Sequence, residues 1–509
     1  MSDEWDEQYD VVVVGSGGGG LTAAWTAARA GLEVLVLEAA PLFGGTTAYS
    51  GGGMWFPANR VLREAGLGAT AQEARDYFRA VVGDRTPRAL QDAFLAGGPA
   101  LVDELLTDDA IELQPFPWPD YYGAVPGAQA VSQVLMAPLD PAELGELADA
   151  VRPPLKADRA GLPRPTPYGG GQALIARLLL SLSRKDNVTL RRGTPCLDLA
   201  ATAGGSVTGV VTDAGRIHAR RGVILAAGGF EQNAGMRREY GVPGSVTGAM
   251  GPATNTGLPT SAAIRLGAAT DLMDQAWWAP GIAHPDGTTS FSLWFTGGIF
   301  VGAAGQRFVN ESLPYDRIGR AVIAGQRSGA VGDTFWMVYD DREGQAPPVR
   351  STTLPLGPAE DCIAAGLWHS ADSLAELADL IGVPADALEA TVDRFNEHAS
   401  AGHDPDFARG EEMYDRAFSG DASPLVPIEK GPFHAVAFGL SDLGTKGGLV
   451  TDADARVLDT AGIPIPGLYA AGNTMAAVSG ETYPAGGNPI AASMVFGHLA
   501  ANHLSQSSS

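Results

Sequence analysis

The sequence predicts an α/β fold: a Rossmann-like nucleotide-binding domain that carries an inserted α+β domain. Three observations predict it. Residues 10–38 read as strand, glycine-rich turn, helix and second strand. Two later apolar runs, 220–230 and 467–473, each end in small residues and glycine, the form of further strand ends in one sheet. Between them, residues 277–443 have a mixed texture with amphipathic helical stretches, which suits an insertion capping the nucleotide site. The domains expected are therefore 1–276 with 444–509, and 277–443. A chain of 509 residues is long enough for two cores.

The first unit justifies itself residue by residue. Val11, Val12, Val13 and Val14 form a β-branched run typical of a strand buried on both faces. Gly15-Ser16-Gly17-Gly18-Gly19-Gly20 satisfies G-x-G-x-x-G, and an alanine-rich helix follows from Leu21, with Gly31 as its stop. Val34 to Leu37 is the second strand, and Glu38 stands at its end. Gly15 permits the tight turn, Gly17 the approach of a pyrophosphate, and Gly20 close helix–strand packing; the helix start supplies free N–H groups. Glu38 is placed to accept hydrogen bonds from ribose hydroxyls. Taken alone the glycine pattern is weak, since four consecutive glycines match it in more than one register; its setting between strand and helix strengthens it.

The next segment separates FAD from NAD. Leu42-Phe43-Gly44-Gly45-Thr46-Thr47-Ala48-Tyr49-Ser50-Gly51-Gly52-Gly53 resembles the FAD-binding segment of the fumarate reductase and succinate dehydrogenase flavoprotein superfamily. The resemblance implies a Rossmann-like FAD-binding domain with non-covalent FAD, since no histidine or cysteine falls within these motifs. It implies contacts from Gly15, Ser16, Gly17, Gly18, Gly19, Gly20, Glu38, Ala39, Gly44, Gly45, Thr46, Thr47, Ser50, Gly51 and Gly52. Later strand ends add Ala227, Gly228, Gly472 and Asn473, and the C-terminal helix adds Pro489 and Ile490. Asn488 suits an N-cap and Pro489 the first helical position, which would aim a positive helix end at reduced flavin. Residues 137–167, rich in Pro and acidic side chains, read as a long surface excursion, and 371–380 and 384–398 as helices.

Bulk properties exclude several classes. The formal net charge of −24 repels phosphate backbones, so no nucleic-acid partner is expected. Two cysteines, Cys196 and Cys362, without CxxC spacing, and eight scattered histidines give no metal site and no disulfide framework. The acidic start MSDEWDEQYD is no secretory signal, and no apolar run spans a bilayer. A cytoplasmic protein is expected, with peripheral membrane contact left open.

Three tyrosine segments bear on the substrate: Pro119-Asp120-Tyr121-Tyr122, Asn310-Glu311-Ser312-Leu313-Pro314-Tyr315-Asp316, and Tyr483-Pro484-Ala485-Gly486-Gly487. Any single tyrosine is more often half-buried packing than catalysis. As a set, with DQAWW at 274–278, SDLGTKGGLVTD at 441–452, GLYAAGN and SGETYPAGG, they resemble the 3-ketosteroid Δ1-dehydrogenases along nearly the whole chain. That resemblance implies desaturation of steroid ring A between carbons 1 and 2. It makes the insertion a catalytic, substrate-capping domain and the substrate a small 3-ketosteroid; the electron acceptor stays unknown. The Tyr483 hydroxyl and the Gly487 N–H would hold the carbon-3 oxygen, Tyr315 would take the carbon-2 proton with help from Tyr121, and Phe291 would line the pocket. Ala485 stands where the family usually has glycine, so Gly486 competes with Gly487 as backbone donor. Two rivals share the cofactor: a 3-keto-5α-steroid Δ4-dehydrogenase and a fumarate-reductase-like enoate reductase. The aromatics Trp294, Phe295, Phe300 and Phe308, with only Arg307 charged among them, argue against a dicarboxylate unless they are core.

Overall fold

The computed structural model describes residues 5–419 and 422–506; the first four residues of the acidic start lie outside the described residues. The chain forms two compact units. One comprises Met1–Val242, Gly251–Ala276 and Gly444–Ser509, the other Pro243–Met250 and Trp277–Leu443.

In the first unit Glu7–Val14 pairs in parallel with Val34–Leu37 on one side and Gly215–Leu225 on the other. Val188–Arg191 extends the sheet beyond Val34–Leu37, and Pro464–Ala470 beyond Gly215–Leu225. Val11 to Val14 are buried on both faces, as a strand between two parallel neighbours must be. Register decides where the site lies. Val14 is level with Leu37 and Leu225, and Ala470 with Leu225. Gly15, Glu38, Ala226 and Ala471 therefore line one rim, the carboxyl edge where ligands of such sheets bind. The rim is tied by Gly15 N to Leu37 O (2.7 Å), Ala226 N to Val14 O (2.8 Å) and Ala471 N to Leu225 O (2.9 Å).

Two helices cover this edge, Gly18–Arg29 and Asn488–Gln506. Glycines let them close on each other: a Cβ at Gly497 would sit 2.3 Å from Gly19 O, and one at Gly19 would sit 2.3 Å from Ser493 Oγ. No side chain at either helix crossing could replace them without separating the backbones.

The second unit is built on an antiparallel sheet in the order Ile299–Val301, Phe335–Asp340, Phe433–Thr445, Ala276–Ala283, Thr289–Phe295, Val349–Thr352, with Trp368–Ala371 also pairing on Phe433–Thr445. Leu377, Leu388, Val392 and Phe395, from the helices Leu374–Ile381 and Ala385–Ala401, pack on its strands Ile299–Val301 and Phe335–Asp340.

Three local expectations are corrected. The helix expected over 371–380 begins later, because Ala371 is paired with Phe433 and Ser373 caps the helix at Glu376 N. The stretch 137–167 is anchored rather than wholly superficial. Leu139, Leu144, Ala150 and Val151 are buried, and Phe43 exchanges backbone bonds with Ala150 and Arg152; only its second half is mostly exposed. Asn488 is not the N-cap: the helix already includes it, Gly487 precedes it with φ +78°, and neither polar atom of its buried side chain makes a hydrogen bond. Among the described residues no helix is long and apolar enough to cross a membrane.

Candidate active site

The glycine-rich loop is built to receive an anion. Gly15 (φ +107°) and Gly20 are demanded by the protein: a Cβ on them would lie 2.2 Å from Ala226 O and 2.0 Å from Gly15 O. Gly17 is different, since a Cβ there would meet only Thr47 Oγ1 at 3.6 Å, and one on Gly51 would meet nothing within 4 Å. Space, not packing, is what these two preserve. The helix Gly18–Arg29 has Gly17 at its N-cap with no side-chain cap, so its first amides remain donors for a pyrophosphate. Among the described residues only Gly18 N of these is taken, by Thr47 Oγ1 at 3.1 Å.

Glu38 is buried at the end of its strand and holds the loop in shape. Its carboxylate accepts from Ser16 N (3.2 Å), Ser16 Oγ (2.5 Å) and Ala40 N (2.8 Å), while exposed Ala39 follows it. Ser16 Oγ in turn accepts from Gly44 N (2.9 Å), which joins the two glycine motifs. Gly44, Gly45 and Gly52 all take positive φ, and the short helix Gly45–Tyr49 carries Thr46 and Thr47. Ser50 Oγ closes this turn by donating to Thr47 O (2.7 Å) and accepting from Gly52 N (3.0 Å). Across the rim, Gly228 (φ +79°) and Gly472 (φ +65°) leave the strand ends Ala227 and Ala471, with Thr474 Oγ1 donating to Gly228 O (2.9 Å). Asn473 lies against Gly444, whose Cβ would fall 2.8 Å from Asn473 Nδ2. Pro489 and Ile490 occupy the first turn of Asn488–Gln506, both partly exposed. The residues present fit FAD: uncapped amides, glycines held open, and an acid at the ribose position.

Two residues with no part in the glycine patterns reinforce this edge. Asn255 Nδ2 donates to Thr46 Oγ1 (3.1 Å) and to Glu231 Oε1 (2.6 Å), and Glu231 is fully buried. Asn255 opens the short run Asn255-Thr256-Gly257, and nothing in sequence spacing links it to Thr46.

The Tyr483 turn forms a second centre in the same unit. Tyr483 and Tyr121 are buried and meet edge-on, with ring centroids 5.1 Å apart at 62°. Tyr121 N donates to Pro484 O at 2.9 Å, and Asp120 bridges Ala485, so the two segments run as a short antiparallel pair. Gly486 is glycine because polar atoms crowd its Cα: a Cβ would lie 2.8 Å from Tyr121 Oη, 2.8 Å from Gln133 Nε2 and 3.0 Å from Trp118 Nε1. Gly487 is glycine because its φ is +78° and a Cβ would lie 2.3 Å from Gly53 O. Gly487 O accepts from Trp55 N (3.3 Å) and Ala491 N (3.0 Å); the Asp120–Ala485 bridge turns Gly486 N–H toward Pro119 O, whereas Gly487 N–H has no partner among the described residues. A left-handed glycine with an unspent amide is a concavity that suits a negative oxygen. Upstream, fully buried Lys446 donates from Nζ to Glu481 O (2.8 Å) and Thr482 O (3.0 Å), bracing the turn just before Tyr483. Asp120 is buried, accepts from Trp55 Nε1 and Gln129 N (each 2.9 Å), and burial pushes its carboxyl up to about 7. GTKGG and PDYY are motifs in the sequence, but neither Lys446 nor Asp120 has a role legible there.

In the second unit Tyr315 opens the helix Tyr315–Ser328, and Phe291 on the strand Thr289–Phe295 meets it edge-on, centroids 4.7 Å apart at 67°. The loop before Tyr315 is pinned by charge. Glu311, fully buried, accepts from Arg307 Nε (2.9 Å), Arg409 Nη1 (2.9 Å) and Phe300 N (2.9 Å). Asn310 Nδ2 donates to Asp415 Oδ2 (3.0 Å). The polar residues of NESLPYD therefore serve to present Tyr315. Tyr315 also lines a groove, open to solvent, with Trp294, Leu313, Ile318, Tyr414 and Phe418. Phe300 and Phe308 do not reach it; they pack with Phe335 in the core. Trp294 (φ +62°) and Phe295 line it, so only part of the apolar run faces this groove.

Residues 10–490 match the FAD binding domain family. The chain is 36% identical to the 3-oxosteroid 1-dehydrogenase of Mycolicibacterium smegmatis, over 97% of each chain. It is 37% identical to the 4-oxocyclohexanecarboxylate 2-dehydrogenase of Sinomonas cyclohexanicum, over 97% of this chain and 92% of that one. Among solved structures, 3-ketosteroid delta1-dehydrogenase from Sterolibacterium denitrificans, in complex with 1,4-androstadiene-3,17-dione, superposes with TM-score 0.89 at 32% identity, covering 98% of this chain and 99% of that one.

Proposed function

This chain belongs to the family of FAD-dependent 3-oxosteroid 1-dehydrogenases, and we propose the following division of labour among its residues for removing hydrogens from carbons 1 and 2 of a 3-ketosteroid. The bound FAD supplies a hydride acceptor for the carbon-1 hydrogen. The Tyr483 hydroxyl and the Gly487 N–H donate to the carbon-3 oxygen. By stabilising the charge that develops on that oxygen, these donors acidify the carbon-2 hydrogen, as in any oxyanion site. Tyr315 removes this proton, Tyr121 assists, and Phe291 supports the Tyr315 ring. Glu38 and the glycine loop hold the nucleotide.

The observation that carries this reading is the unspent Gly487 amide beside Tyr483, on a turn braced by Lys446 and by Tyr121 N. A dicarboxylate reductase would need cationic clamps there, whereas this amide and the Tyr483 phenol are neutral donors suited to a ketone oxygen. The test is anaerobic mixing of the yellow holoenzyme with androst-4-ene-3,17-dione. Bleaching of the flavin, and the 1,4-diene-3,17-dione as product with an artificial acceptor, is the expected outcome. An unchanged flavin spectrum refutes the reading, and a 4-ene from a 5α-saturated 3-ketone with no 1-ene assigns the Δ4 chemistry instead.

A second substrate class has a specific observation in its favour. Arg350 lines the Tyr315 groove with no ion-pair partner among the described residues, and a carboxylated cyclohexanone is the substrate named for the Sinomonas relative. Turnover of 4-oxocyclohexanecarboxylate beside the steroid, in one assay, decides between them.

A further inference from the structure

We propose that Tyr77 is a positioning residue that fastens the Tyr121 and Tyr483 segments together and so fixes the geometry of the ketone-oxygen site. The proposal rests on the reading of Tyr483 as the phenol that binds that oxygen.

Tyr77 lies outside every motif noted in the sequence. It sits on the helix Ala71–Val82, whose start is held by a reciprocal Thr70–Glu73 capping box. Its side chain is buried, and its hydroxyl donates to Pro484 O at 2.6 Å while accepting from Tyr122 N at 3.3 Å. Pro484 directly follows Tyr483, and Tyr122 directly follows Tyr121. One phenol oxygen thus spans both segments at the residue next to each working tyrosine.

The chemistry of Pro484 makes the clamp matter. Its carbonyl takes two donors, Tyr77 Oη and Tyr121 N, and its own nitrogen carries no hydrogen with which to add a third tie. The ring of Tyr77 also meets Trp55 edge-on at 6.2 Å, and Trp55 N donates to Gly487 O at 3.3 Å. The same residue therefore touches, directly or through Trp55, the Tyr121 segment and both ends of the Tyr483–Gly487 turn that bears the donors for the ketone oxygen. Burial, and next the nearby Asp120 carboxyl, push the Tyr77 phenol far above the usual tyrosine range. It stays a donor at every working pH and plays no part as an acid or base.

Oxyanion stabilisation depends on donors fixed before charge develops, and a shift of about 1 Å costs about a hundredfold in rate. Loosening the clamp should therefore weaken recognition of the charged oxygen more than recognition of the neutral ketone. The experiment is Tyr77→Phe, which deletes one oxygen and keeps the ring on Trp55. Three quantities are read on the holoenzyme: flavin content, kcat and KM for androst-4-ene-3,17-dione, and dissociation constants for that steroid and for a phenolic ring-A steroid that mimics the enolate. Expected are full flavin content, a kcat lowered about 10- to 100-fold, a KM within about threefold, and a parallel loss of phenolic-steroid affinity only.

A kcat within twofold of wild type overturns the proposal. So does an equal loss of affinity for both steroids, or loss of flavin, since either makes Tyr77 a packing residue. Absence of 1,2-desaturated product from the wild type overturns the underlying activity instead, which keeps the two failures apart.

Discussion

Replacing Gly487 by alanine tests the carbonyl site at its narrowest point. The backbone there has φ +78°, a region that costs an L-residue about 1–2 kcal/mol. The added Cβ would lie 2.3 Å from Gly53 O, 2.5 Å from Gly53 C and 2.9 Å from Met54 N, so main chain must move, at about 1–3 kcal/mol. Together this amounts to about 2–5 kcal/mol, enough to shift the turn and with it the bonds from Trp55 N and Ala491 N to Gly487 O. Displacement of one oxyanion donor lowers kcat by about 10²- to 10³-fold. The assay is turnover of androst-4-ene-3,17-dione by a preparation whose flavin content and melting temperature are measured alongside. Gly486→Ala is the informative companion, because its Cβ meets side-chain atoms, Tyr121 Oη among them, and demands no left-handed backbone. It should destabilise less than Gly487→Ala. A Gly487→Ala enzyme with flavin bound, a lowered melting temperature and kcat within threefold of wild type would refute the assignment of a donor to this turn.

Other outcomes follow from the same geometry. Tyr315→Phe should keep flavin and steroid binding while kcat falls about 10²- to 10⁴-fold; because free tyrosine titrates near about 10, a wild-type enzyme with a tyrosine base should gain activity from neutral to alkaline pH. A flat pH profile in rapid-mixing experiments counts against Tyr315. Asp120 is held near 7, above its unfolded value, so the folded state favours the protonated form. Its stabilising contribution is complete below about pH 4 and is lost as pH rises through about 7, an effect of about 4 kcal/mol at most. An infrared carboxylic-acid band present at pH 5.5, gone at pH 9 and missing from Asp120→Asn would report it; a wild-type spectrum unchanged between those pH values would not fit. Glu38→Gln turns one of the two oxygens that accept from Ser16 and from Ala40 into an NH2 donor, and should weaken FAD binding about 10- to 100-fold, read as free flavin fluorescence on dilution.

Much of the site was legible because it is local. Val11 to Leu37 had to be strand, turn, helix and strand, since the β-branched run, the glycines and the alanine-rich segment each allow one conformation, and the register then carries Glu38 to the rim. Tyr121, Tyr315 and Tyr483 could be singled out only by resemblance, because a lone tyrosine has no spacing that distinguishes catalysis from packing. Asn488 shows the limit of local rules: its residue type favours a cap, but the left-handed Gly487 brings the chain into helix one residue sooner. The Pro- and acid-rich stretch 137–167 looked superficial by composition, yet it is bound through Phe43 to the glycine motif a hundred residues away.

By itself the amino-acid order determined the nucleotide loop and the recurrence of strand ends, because each depends on neighbours within one turn or one strand; the chemistry class came from resemblance. Tertiary structure alone decided which partners hold those parts in place. Lys446 beneath the Tyr483 turn, Asp120 beside Trp55, Glu231 behind Asn255 and Tyr77 across two segments are contacts between residues far apart in the chain. No periodicity encodes such a meeting: burial leaves each polar group to find its hydrogen bond wherever the packed backbone offers one.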